Sequence, residues 1–135
     1  MPQLPHDFWS FIRYFKSSEF SSPDDLITCN SMDYRLVIVL DNIRYFLKRA
    51  IIINRGYSTA KHNHDVGGVE DSSHLMGYAV DIHCPDDAFR YSLIFLAIIL
   101  GIQQIGIYAT HIHLGVDPGK TQGILWYGRK KETIN

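Results

Sequence analysis

The segment Ser72-Ser73-His74-Leu75-Met76-Gly77-Tyr78-Ala79-Val80-Asp81 sets an imidazole and a carboxylate seven residues apart, with a glycine between them. A divalent cation needs neutral or deprotonated donors that converge from rigid elements. Gly77 permits a tight turn between these two. A third donor has to come from elsewhere, and His111-Ile112-His113 offers two candidates. Residues i and i+2 of a strand share a face, so either imidazole can turn toward one site. Three protein ligands with one open position is the arrangement of a catalytic zinc, not of a closed structural one. Composition agrees: seven histidines against two cysteines favour nitrogen and oxygen ligands. Cys29 and Cys84 are too far apart for a Cys-x-x-Cys pair and are read as one disulfide or as two buried thiols. His6, His62 and His64 read as surface or packing residues. His83 shares a face with Asp81.

The elements that must carry these residues follow from periodicity and punctuation. Phe8 to Phe15 is aromatic and reads as helical. Apolar residues recur at helical spacing from Asp33 to Lys48, with Asp33 as N-cap. Ile51-Ile52-Ile53 reads as a short strand, Lys61 to Ser73 as a polar loop, and Ala79 to His83 as a strand with alternating faces. Pro85-Asp86-Asp87 starts a helix that runs to Leu100 and is closed by Gly101. Gln104 to Tyr108, Ile112 to Val116 and Ile124 to Tyr127 read as strands. Helices first and antiparallel-type strands later favour an α+β fold.

The chain has 135 residues, with 13 Lys/Arg and 14 Asp/Glu for a formal charge of −1. That length suits one domain, residues 1–135, with a core that needs no disulfide staples. Balanced charge argues against nucleic acid as a partner and gives no polybasic reason to sit on a membrane. The longest apolar run, Leu93 to Ile102, is about half the length of a bilayer span. The N-terminal residues do not read as a secretory signal.

Ser72-x-His74-x-x-Gly77-x-Ala79-x-Asp81 followed by His113 resembles the zinc-dependent peptidoglycan peptidases of the M15 type, which include D-Ala-D-Ala carboxypeptidases, murein endopeptidases and phage endolysins. Phe15 to Phe20 is similar to that family's Ser-Glu-Phe entry. Ile51 to Asn63 with Val66-Gly67-Gly68 is similar to its Gly-Tyr-Arg-Ser loop, and Ile105 to Tyr108 before His111 to its last strand pair. The resemblance implies an α+β fold, a small antiparallel sheet with helices packed on one face. It implies one zinc ion held by His74, Asp81 and His113, with His111 the second choice as a ligand. Peptidoglycan stem peptides are the implied partners. A phage or prophage origin would put the protein in the host cytoplasm with release to the wall, or on the virion.

The likeness departs in two places. The family's general base lies three residues before the last zinc histidine, where this chain has Thr110, or two after it, where it has Gly115. His111 and Asp117 are the remaining candidates, with Glu70 or Asp71 behind them. The family's loop arginine is replaced by Ser58, while Arg55 stands where a serine is usual, either reaching the site from the other side of the turn or lying on the surface. Ser72, Tyr57 and Ser58 are the expected substrate contacts. A zinc-containing binding module that has lost catalysis is the alternative reading. A zinc-free structural protein using the N-terminal aromatics is a third.

Overall fold

The computed structural model describes residues 3–128. Three helices, α1 (Tyr34–Leu47), α2 (Ala60–Asp65) and α3 (Asp87–Ile99), accompany five strands: β1 (Ile53–Arg55), β2 (Ala79–His83), β3 (Gln104–Ile107), β4 (His111–Gly115) and β5 (Ile124–Tyr127). The fold is α+β, with one sheet in the order β1-β2-β4-β3-β5. Short 3-10 turns at Phe8–Phe11, Ser17–Phe20, Thr28–Ser31 and Ser73–Met76 connect these elements.

Local chemistry explains the helices. Asp33 accepts from the backbone N–H groups of Arg35 and Leu36 and starts α1; Asp86 does the same for α3 through Phe89. Such caps satisfy donors that have no partner inside the helix. Leu36, Val37, Leu40 and Ile43 of α1 and Phe89, Leu93 and Ala97 of α3 are buried against Val80 and Ile82 of β2, Ile105 of β3, and Ile112 and Leu114 of β4. Burying each of the Leu, Ile, Val and Phe side chains among these contributes about 1.5–3 kcal/mol. The buried Asp41 carboxylate accepts from the Arg13 and Tyr14 N–H groups and from Arg13 Nε, which fastens the N-terminal segment to α1.

Several expectations need correcting. The aromatic N-terminal stretch forms one 3-10 turn, Phe8–Phe11, not a helix to Phe15. The strand expected at Ile51 begins at Ile53 and runs to Arg55. The polar stretch after Thr59 holds a helix, α2, because the Thr59 hydroxyl caps it through the His62 N–H and Lys61 pairs with Asp65 one turn on. The sheet is antiparallel at β1–β2, β2–β4 and β4–β3, but β5 runs parallel to β3. The reason is geometric. β4 returns the chain to the end where β3 began, with Gly115 opposite Gln104. The following loop then rounds that same end and delivers Ile124 beside Gln104. The Gln104 side chain holds the loop by donating to the Asp117 and Thr121 carbonyls and accepting from the Asp117 N–H. Both cysteines are free thiols and buried.

Candidate metal centre

Strand register builds a single row of residues across the sheet face that points away from α1 and α3. Arg55 lies opposite Asp81, Asp81 opposite His113, His113 opposite Gly106, and Gly106 beside Trp126. Alternation of side chains gives this its logic: Ile82, Ile112 and Ile105 enter the core, so Asp81, His113 and Gly106 must face the other way. One row over on this face, His83 opposes His111; on the other side, Ala79, Gly115 and Gln104 are neighbours.

His74 reaches this row from the 3-10 turn Ser73–Met76. The Ser72 hydroxyl accepts from the His74 N–H, and Gly77 closes the turn with φ 73°, a left-handed conformation that glycine adopts without a steric penalty. The segment after β1 grips the residue from both ends. His74 Nδ1 donates to the Gly56 carbonyl at 2.8 Å, and the Ser58 N–H donates to the His74 carbonyl at 3.0 Å. With its proton on Nδ1, the ring turns a lone pair on Nε2 toward Asp81.

Donor atoms of His74, Asp81 and His113 all lie within 4.8 Å of one another, and all three residues are buried. Asp81 sits between the two rings. Its Oδ1 is 2.9 Å from His113 Nδ1, and its Oδ2 is 3.4 Å from His74 Nε2. That second contact lacks hydrogen-bond geometry, and His74 Nε2 is a buried nitrogen without a hydrogen-bond partner. A buried polar atom left unpaired is costly, so an unpaired imidazole nitrogen facing a carboxylate and a second imidazole fits a cation in the gap. Burial alone would raise the Asp81 pKa. The neighbouring imidazoles of His74 and His113, the latter hydrogen-bonded to Oδ1, outweigh it and hold the carboxyl well below the usual range. Burial pushes the His74 imidazole down, which favours its neutral, ligating form. Two imidazoles and one carboxylate suit zinc.

The other expected site residues fall around this centre. Arg55 is half-buried in the same row. Its Nε donates to Ser58 Oγ at 2.8 Å, and Nη2 donates to Asn63 Oδ1 at 2.6 Å. Burial lowers its pKa while Asp81 pulls it back up. Ser58 is thus buried beneath the guanidinium, and Tyr57 packs against the hydrophobic core. His111 is buried, with Nδ1 3.1 Å from Thr110 Oγ1 and Nε2 unpartnered; burial holds its pKa down. Asp117 accepts from the Ser73 hydroxyl at 2.7 Å and from the Gly119 N–H at 2.9 Å. Its carboxylate therefore ties the loop after β4 to the turn that carries His74. Glu70 and Asp71 are exposed.

A pocket of about 200 Å³ opens beside His113, lined by Ser72, Ser73, Gln104, Ile124 and Trp126 among others. Of these, sequence reasoning singled out only Ser72. Ser73, Gln104 and Trp126 carry no motif of their own; what brings them here is long-range pairing.

No curated protein is matched by this chain. A protein-family model described as Peptidase M15 matches residues 6–117. That segment carries His74, Asp81 and His113 and most of the sheet that aligns them, and the chain belongs to the M15 peptidase family.

Proposed function

We propose that this protein is a zinc-dependent peptidase that hydrolyses peptides of the bacterial cell wall, acting as a single catalytic domain over residues 1–135, of which 1–2 and 129–135 lie outside the described residues. The convergence of His74, Asp81 and His113 around the unpaired His74 Nε2 carries this reading. Those three residues would hold the ion. Zinc supplies Lewis-acid polarisation of a carbonyl and makes water a stronger acid.

The chain's own groups do the rest. His111 takes up the proton: in the tautomer whose Nδ1–H points to Thr110 Oγ1, its Nε2 keeps a free lone pair, and burial favours the neutral ring. Arg55, beside Asp81, provides positive charge where negative charge develops on the substrate, with Asn63 and Ser58 orienting the guanidinium. Ser72 offers a polar contact in the lining of the pocket. Asp117, already bonded to Ser73 and Gly119, keeps the turn that carries His74 in register with β4. Of the other two expected substrate contacts, Ser58 holds Arg55 and the His74 turn, and Tyr57 packs against the core.

The substrate class, peptidoglycan stem peptides, and a phage or prophage source with action at the wall or from the virion rest on the motif likeness. No helix among the described residues is long and apolar enough to cross a membrane. The test is release of free amines from purified peptidoglycan, with and without a chelator, alongside the zinc-to-protein ratio. Chelator-sensitive release is expected. Stoichiometric zinc with no amine released would favour the second reading, a wall-binding module of the same fold, which the engagement of the Asp117 carboxylate by Ser73 also favours.

A further inference from the structure

Strand β5 lies beyond the segment that the family model matches, yet it delivers an aromatic side chain to the metal row. Trp126 pairs with Gly106 of β3, and Gly106 has no side chain to keep it away. The indole fills that space: a Cβ at position 106 would sit 2.7 Å from Trp126 Cε2 and Cζ2. From there the ring reaches His113, with centroids 5.6 Å apart. Its Nε1 donates to the Tyr108 hydroxyl at 3.0 Å. Tyr108, buried, lies flat on His111, with centroids 4.6 Å apart and planes 6° from parallel.

We infer that Trp126 is a positioning residue for both histidines of β4: its ring fixes the orientation of His113 directly, and its N–H fixes Tyr108, which in turn fixes His111. The inference rests on the metal-site reading above. It goes beyond that reading because it assigns the support of the two rings to a strand outside the matched segment. The physical need is clear. A ligating imidazole must hold its ring plane as well as its position; hydrogen-bonding partners that fix the plane typically change metal affinity 10–100-fold when removed, and the apolar shell around the site tunes it too. Asp81 fixes one edge of His113; Trp126 is the aromatic surface against which that ring rests.

Three variants separate the parts. Trp126→Ala removes both contacts. Trp126→Phe keeps a ring over Gly106 and against His113 but loses the bond to Tyr108. Gly106→Ala leaves the tryptophan in the chain and displaces its indole from the row. The readouts are competitive zinc titration of the folded protein, the visible absorption of the cobalt(II)-loaded protein, and thermal unfolding of the metal-free protein. Trp126→Ala and Gly106→Ala are expected to weaken zinc binding by about tenfold or more and to shift the cobalt spectrum. Trp126→Phe is expected to bind zinc within about threefold of the parent and to lose turnover through His111. Unchanged zinc affinity and an unchanged cobalt spectrum in both Trp126→Ala and Gly106→Ala, even with a lower unfolding temperature, would overturn the inference. Absence of one-to-one zinc binding by the parent protein, or its retention in His113→Ala, would instead overturn the metal-site reading itself.

Discussion

Replacing Gly77 with alanine tests whether the turn between His74 and Asp81 is as constrained as its geometry requires. Gly77 sits at φ 73°, ψ 19°. A left-handed alanine costs about 1–2 kcal/mol. The added Cβ would also overlap the Ser31 carbonyl oxygen and come within 2.9 Å of Met32 Cα. Those are backbone atoms that cannot swing aside, and forced overpacking of this kind costs about 1–3 kcal/mol more. The Gly77 carbonyl accepts from the N–H of Asp33, the α1 cap residue, so the turn cannot shift without disturbing the start of that helix. The two contributions together predict a loss of about 2–5 kcal/mol, a large fraction of the ~5–15 kcal/mol typical of a folded domain. Urea unfolding of the metal-free protein measures it, through a lower midpoint at an unchanged slope. Gly77→Asn is the control. Asparagine tolerates the left-handed region better than alanine but brings the same Cβ, so it should recover only a minor part of the loss. A Gly77→Ala loss below about 0.5 kcal/mol, the range of ordinary surface substitutions, with unchanged zinc affinity, would refute the reasoning.

Other outcomes follow from the same geometry. His74→Ala, Asp81→Asn and His113→Ala should each abolish stoichiometric zinc by elemental analysis, whereas His111→Ala should keep the metal and lose turnover; zinc retained in His74→Ala would contradict the ligand set. Asp117→Ala leaves the Ser73 hydroxyl without its carboxylate and should cost about 1.5–3 kcal/mol in urea unfolding. Asp117→Asn keeps an acceptor oxygen and should cost less; equal losses in the two would remove the hydrogen bond as the cause. Hydrogen bonds from Arg49 and the Phe89 N–H hold Asp86 at a pKa of about 2, below the ~3.9 of an unfolded aspartate. Its stabilisation is therefore fully present above about pH 4 and is lost as pH falls toward 2. Asp86→Ala should flatten the fall in thermal stability across that window, and parallel curves for parent and variant would count against the pairing.

Sequence alone exposed the parts of this protein that depend on local chemistry. Asp33 and Asp86 cap α1 and α3 because their side chains bond to donors only two or three residues away, and the bounds of β2 and β5 were legible from alternation and flanking turns. Glycine spacing and strand alternation could group His74 and Asp81 with either His111 or His113, and the choice of His113 rested on the likeness to the M15 motif. What escaped has either a faint local signal or a cause in distant segments. Helix α2 has no apolar period; only the Thr59 cap and the Lys61–Asp65 pair announce it. The aromatic N-terminal stretch looks helical in composition, but one 3-10 turn is all that forms there, with Trp9 packed at a tilt against Phe20 and hydrogen-bonded to Asn30.

The order of the strands explains why the site's outer half was the harder to read. Asp81 and His113 lie 32 residues apart yet share a hydrogen bond, and their pairing could be reached from the two motifs. Trp126 joins them only because β5 lies parallel to β3, which depends on a loop held by the side chain of Gln104. Gly106 matters for what it lacks, and a missing side chain has meaning only once the neighbour that fills its space is known. Asp117 shows the same point with the opposite sign. Its type and distance from His113 nominate it as a base, but its oxygens already accept from Ser73 and Gly119. Those bonds commit the carboxylate to holding the turn that carries His74, whereas His111 Nε2 is buried without a partner. That difference in engagement, not proximity in sequence, is why His111 is the proposed base, although burial disfavours its charged ring.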